Sequence, residues 1–127
     1  MGYKSFSILY NDLSLLLTNT TDSCSRNTTN TSNSNIHYHR YGRVIVLTGW
    51  FILTTTGCTT GKEILTGIPA PKLNVNVFAY DQTDGKIYYY EITARATIMK
   101  GLQNISTSSA GHYLNIQVAY MLDNSVS

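Results

Sequence analysis

Hydrophobic and polar positions alternate along most of the chain after residue 35, and the period is two. Arg43 to Leu53 is apolar on both sides of a strand: Ile45, Leu47, Phe51 and Leu53 form one face, and Val44, Val46, Trp50 and Ile52 form the other. Two apolar faces mean burial on both sides, in the core or against another subunit. Leu73 to Tyr80 alternates Leu73, Val75, Val77 and Ala79 with Asn74, Asn76, Phe78 and Tyr80. From Lys86 to Met99 the even positions Tyr88, Tyr90, Ile92, Ala94, Ala96 and Ile98 oppose Glu91, Thr93, Arg95 and Thr97, which predicts one long strand with a wet face. The same pattern puts Tyr88 and Tyr90 inward and Tyr89 outward. His112 to Leu122 closes the series, with Leu114, Ile116, Val118, Tyr120 and Leu122 on one face and Asn115 and Gln117 opposite.

Turn chemistry separates these runs. Asp81-Gln82-Thr83-Asp84-Gly85 reads as a hairpin turn, with Asp84-Gly85 supplying the positive φ. Thr54 to Gly61 and Asn104 to Gly111 are Thr-, Ser-, Asn- and Gly-rich loops, and Lys100-Gly101 interrupts the third run. Strands at 43–53, 73–80, 86–99 and 112–122, joined by short turns, predict an all-β fold. The expected architecture is an antiparallel β-sandwich, jelly-roll-like.

The first 35 residues behave differently. Asn19 to Asn35 is almost entirely Asn, Thr and Ser, and cannot bury enough apolar area to offset its own ordering entropy. It is expected as an exposed loop or linker, or as a segment ordered by neighbours. Before it, residues 3–17 offer a short helix or strand. The expected division is residues 1–35 as an N-terminal segment with a polar linker, and residues 36–127 as the β-sandwich.

Composition narrows the function classes. Among 127 residues, 43% are hydrophobic but only 13% are charged, about half the usual share, which suits a surface that associates with other surfaces. Nine Lys and Arg residues are scattered, so no basic track for a nucleic-acid backbone is present. No apolar stretch reaches the roughly 20 residues that cross a bilayer. Met1-Gly2-Tyr3-Lys4-Ser5 lacks the order of a secretion signal, so the Asn-X-Ser/Thr triplets at Asn19, Asn27, Asn30 and Asn104 read as composition. Cys24 and Cys58 are too few for a disulfide framework and read as free thiols.

The order of strands and turns carries a resemblance. A strand beginning Gly42-Arg43-Val44-Ile45-Val46 leads to Gly49-Trp50-Phe51. Ile64-Leu65-Thr66-Gly67-Ile68-Pro69-Ala70-Pro71 follows, then a strand and an Asp-Gly turn. The end is Ala96-Thr97-Ile98 to Leu102, then Tyr113-Leu114-Asn115-Ile116 to Tyr120. This resembles the C-terminal head domains of bacteriophage tail-fibre and baseplate receptor-binding proteins, over residues 36–122. The chain departs from the pattern at Ala70, where a glycine is usual after the first proline. The resemblance implies a virion component that acts as a homotrimer and binds a host-surface glycan or other receptor. Two alternatives belong to other classes: a trimerising tip or decoration module with no ligand, and a cellular carbohydrate-binding module.

Catalytic chemistry has little support in the residues. Asp81, Asp84 and Glu91 lie near one hairpin, but Asp is favoured in turns for backbone hydrogen bonding alone. Nucleophile-elbow, phosphate-loop and metalloprotease motifs are absent. No enzyme activity and no cofactor are expected. His37 and His39 share a strand face, about 6–7 Å apart by strand rise, and are expected to hold no metal. Sugars need stacking surfaces for C–H faces and polar partners for hydroxyls. The expected ligand-binding residues are therefore Tyr80, Asp81, Asp84 and Tyr89 around the hairpin, with Trp50 as a rival anchor.

Overall fold

The computed structural model describes residues 20–123, and the expected element at 3–17 lies outside them. Nine strands form one antiparallel sheet: β1 (Thr20–Ser23), β2 (Ser25–Arg26), β3 (Thr31–Tyr41), β4 (Val44–Leu53), β5 (Glu63–Thr66), β6 (Val75–Asp81), β7 (Ile87–Ile92), β8 (Met99–Gly101) and β9 (Tyr113–Met121). Two 3-10 turns, Thr56–Cys58 and Thr107–Ser109, are the only helical pieces among the described residues. The spatial order is β1-β3-β4-β9-β6-β7-β8-β5-β2.

The two strands at the ends of that order, β1 and β2, are neighbours in the chain with only Cys24 between them. The two margins of the sheet are therefore tied together, and the Cys24 N–H donates to Ile36 O at 3.0 Å. The sheet curls into a nearly closed, sandwich-like shell, which removes most of the liability of open strand edges. The all-β, sandwich-like expectation holds, in a sheet that nearly closes on itself.

The interior takes one face of each long strand. Ile45, Leu47, Phe51 and Leu53 of β4 are buried, as are Val77 and Ala79 of β6, Tyr88, Tyr90 and Ile92 of β7, and Leu114, Ile116 and Tyr120 of β9. Phe51 meets Tyr90 edge-on at 5.3 Å, although β4 and β7 are three places apart in the sheet order, so this contact spans the shell. Burial of Tyr90 and Tyr120 pushes both phenols above their ordinary pKa. Tyr120 OH donates to Pro69 O at 2.8 Å. Cys24 and Cys58 are buried and unbridged, and burial, assisted by Asp22, pushes the Cys24 thiol up to about 12.

One expectation is corrected here. Residues 86–99 do not form one strand: β7 ends at Ile92 and β8 begins at Met99. Between them Arg95 adopts a positive φ of 62°, and the backbone is satisfied by other segments, with Arg95 N–H donating to Pro71 O and Ala94 N–H to Asn74 Oδ1. The alternation continues there in the residue types but not in the hydrogen bonding. The polar stretch before residue 36 supplies β1, β2 and the start of β3. That polar segment is ordered by its neighbours, through its own side chains. Asn27 Oδ1 accepts from the N–H groups of Thr29 and Asn30, Thr31 Oγ1 donates to Asn27 O, and Asn30 Nδ2 donates to Glu63 O. Asn and Thr, poor in apolar area, hold a tight turn by bonding to nearby backbone.

Candidate functional site

The hairpin and the outer sheet face hold all five residues expected to bind a ligand, but in two different settings. Asp81 ends β6, and its position is 0% exposed. Its Oδ1 accepts from the N–H groups of Thr83 (2.8 Å) and Asp84 (3.2 Å), and its Oδ2 lies 2.9 Å from His112 Nδ1. Asp81 N–H donates to Lys86 O and Gly85 N–H to Asp81 O, both at 2.8 Å, and Gly85 turns the chain at φ 71°. Burial alone would raise the Asp81 pKa. The hydrogen bonds from His112, Asp84 and Thr83, with the His112 charge, outweigh it and hold the carboxyl below its ordinary value. Asp81 is thus buried and organises the turn from inside. His112 is that organiser's counterpart.

Asp84 is exposed, with Oδ2 3.7 Å from His112 Nδ1. Asp81, Asp84 and His112 bring ligand atoms within 4.8 Å of one another, the one such group of three among the described residues. Both Asp81 oxygens are taken up by the turn N–H groups and His112. His37 is engaged in a separate network, with Nδ1 3.0 Å from Ser23 Oγ and Nε2 2.6 Å from Asn35 Oδ1.

The outer sheet face is the second setting. Antiparallel pairing sets Asn35, Trp50, Asn115, Tyr80 and Ile87 in one row across β3, β4, β9, β6 and β7. Partners directly opposite share a face. Strand β6 pairs with β9 only through Tyr80 with Asn115 and Asp81 with Leu114. The chain before β6 rejoins β9 at its far end, where Lys72 N–H donates to Met121 O and Pro71 bridges to Leu122. The ladder is therefore sealed at both ends and open in the middle. A cleft of about 480 Å³ lies over this opening, lined by Thr48, Gly49, Trp50, Phe78, Tyr80, Asn115, Ile116 and Gln117.

Two edge-to-face aromatic pairs flank the cleft. Trp50 is backed by Tyr113 at 4.9 Å and Phe78 by Tyr89 at 5.6 Å. Phe78 is 58% exposed, and Tyr80, Tyr89 and Tyr113 are each close to half exposed. Such pairs add about 0.5–1.5 kcal/mol beyond area burial, so the rings are held in place, with Phe78 exposed and Trp50 half-buried. In the same place Asn115 Nδ2 is buried without a hydrogen-bond partner. A buried donor left unmatched costs about 1–3 kcal/mol, and it marks the polar base of the cleft.

Gly49 lets the strands approach here. At φ 140°, a Cβ on it would sit 2.0 Å from Asn35 O, so only glycine permits the β3–β4 pair at this point.

Of the expected residues, Trp50 and Tyr80 share the cleft, Tyr89 supports it through Phe78, and Asp81 and Asp84 belong to the turn. Tyr89 points outward while Tyr88 and Tyr90 are buried, as the alternation required. Phe78, Tyr113, Asn115 and Gln117 were missed. The signal for them lay in the face assignments: Phe78 shares Tyr80's side of β6, and Asn115 and Gln117 oppose the buried residues of β9. What was missing was which strands pair.

No family model and no curated protein matches the chain by sequence. Solved structures match it by fold. The receptor binding protein gp15 of Listeria phage PSA aligns over 95% of this chain and 75% of its own, with a TM-score of 0.58 and 16% identity. The head domain of lactococcal phage bIL170, described with the receptor-binding domains of lactococcal phages, aligns over 82% of this chain and 98% of its own, at TM-score 0.54 and 14% identity. The chain has the fold of these phage head domains.

Proposed function

We propose that this chain is the receptor-binding head domain of a phage tail fibre or baseplate, a virion component that recognises a host-surface saccharide as a homotrimer and without catalysis. One observation carries the reading: on a fold shared with two phage receptor-binding proteins, exposed aromatic rings converge on an open cleft instead of scattering. Isolated exposed aromatics are ordinary, whereas a clustered patch marks an interaction surface. Loss of the Asp81 carboxylate to the turn supports binding over catalysis, since a glycosidase needs two carboxyl groups free to act on a glycosidic bond.

The outer face divides naturally between two tasks. At the end of β4 nearest its start, Val44 and Val46 pair with Met121 and Ala119. This apolar end is proposed for contact between subunits, because obligate interfaces resemble a divided core. The Trp50 end, about 13 Å away along the strand by strand rise, is left for the receptor.

The test is adsorption. Labelled domain is titrated onto a panel of bacterial strains that includes Listeria and lactococcal strains, and its solution mass is measured by light scattering. Saturable binding to some strains and three times the chain mass are expected. A monomer that binds no strain would defeat the proposal.

A further inference from the structure

The chemistry of the cleft selects among saccharides. We infer that the opening between β9 and β6 takes a neutral sugar, stacked on aromatic rings and hydrogen-bonded by side-chain amides, and not a phosphorylated or uronic polymer. This rests on the receptor-binding reading above and adds the ligand class.

Charge is the first argument. Every lining residue is uncharged, and no Lys or Arg is among them. An anionic glycan brought into a concave surface without a cation loses hydration and gains no ion pair in return. The titratable group in the adjacent row is His37, opposite Thr48 on β3, and both of its ring nitrogens already have partners in Ser23 and Asn35. The nearby turn adds carboxylates: Asp81, directly after Tyr80, is held below its ordinary pKa, and Asp84 lies on the exposed turn. Asp84 would repel an anion at the rim, whereas Asp81 faces inward and is paired with His112.

The polar groups are the second argument. Trp50, Phe78 and Tyr80 offer ring faces, and Thr48, Asn115 and Gln117 offer hydroxyl and amide groups between them. That combination matches a sugar ring, which has an apolar C–H face and an equatorial belt of hydroxyls. The Nδ2 of Asn115, buried without a protein partner, is the donor that an acceptor on such a ligand would meet. The terminal torsion of Asn is soft and roughly two-fold, so a rotation brings that donor to a sugar hydroxyl or acetamide oxygen at the cleft floor.

The experiment compares the wild-type domain with Trp50→Ala and Gln117→Ala on a saccharide array. The array carries neutral oligosaccharides of hexose, rhamnose and N-acetylhexosamine, together with glycerol-phosphate and uronate polymers. Binding is read at low and high salt, beside thermal melting and solution mass. The expected result is binding to neutral members that is indifferent to salt. Trp50→Ala should reduce it about tenfold or more, as for a central aromatic anchor. Gln117→Ala, at an exposed position, should weaken it with the melting temperature unchanged.

Binding confined to the phosphate or uronate polymers and abolished by salt would overturn the ligand class while leaving receptor binding intact. Neutral-sugar binding untouched by both substitutions would overturn the site. If Trp50→Ala dissociates the assembly, the occupant is a second copy and the inference fails. If the array is silent while bacterial cells still bind, the receptor is not a saccharide. Silence on cells as well would sink the receptor-binding reading itself.

Discussion

The Asp81 turn and the Trp50–Phe78–Tyr80 cleft meet at Tyr80 and differ in one respect that decides their roles. In the turn, the buried polar groups find partners inside the turn: Asp81 holds two backbone N–H groups and His112. In the cleft, aromatic faces are open and an amide donor has no partner. The lesson is that polar residues clustered in sequence beside aromatics are a poor guide to binding when the fold consumes them locally. Unspent chemistry is the better guide, and it appears only after strands are paired.

The contrast can be broken most severely at Gly49, the floor of the cleft. Gly49→Ala would press a methyl group against Asn35 O at a positive φ, with no flexible side chain to yield. A loss of at least about 3 kcal/mol is expected, read by chemical denaturation. A neutral outcome would mean that β3 and β4 can separate here, and that the cleft is not rigid.

Asp81→Asn addresses the turn. It keeps an oxygen for the Thr83 and Asp84 N–H groups but removes the charge facing His112, and should cost about 1–3 kcal/mol at neutral pH. Saccharide and cell binding should persist in the folded protein, because Asp81 faces inward. Lost binding without lost stability would restore Asp81 to the site.

The same carboxylate predicts the direction of an acid response. Its folded pKa lies below the roughly 3.9 of an unfolded Asp. The stabilisation it provides is therefore fully present above the unfolded value and is lost as pH falls through it and on through the folded value. Melting temperatures measured from pH 6 downward should show the wild type losing stability faster than Asp81→Asn below about pH 4. Parallel curves would show that the turn's network contributes nothing of this kind.

The sequence made the strands legible wherever burial was one-sided, because a period of two survives in residue types. Tyr88, Tyr89 and Tyr90 sort as expected. It failed where hydrogen bonding and residue pattern part company. Ala94, Ala96 and Ile98 keep the alternation while their backbone turns around Arg95. At residues 20–35 composition left a loop and a segment ordered by neighbours both open, and Asn and Thr side chains that hold backbone groups decide between them. The cleft was half legible. Trp50 and Tyr80 were identifiable as outward aromatics, but β9 comes to lie between β4 and β6 through a long-range pairing that no local pattern encodes.

The finest division between support and contact lies at Tyr89. It stands edge-on to Phe78 at 5.6 Å but does not line the cleft. Its backbone N–H donates to Gln103 Oε1 and its carbonyl accepts from Leu102 N–H, so the strand position does not depend on the side chain. Tyr89→Ala should therefore cost only about 0.5–1 kcal/mol, the worth of the ring pair. Phe78 would then be free to change rotamer, and binding should weaken by a few-fold, less than for Trp50→Ala, since only preorganisation is lost. Titration of the variant against the best neutral saccharide and a melting curve measure the two effects together. A loss as large as that of Trp50→Ala would make Tyr89 a contact residue and extend the site across β7. A drop of many degrees in melting temperature would place the ring in the packing of the shell, and the boundary drawn here between support and contact would fail.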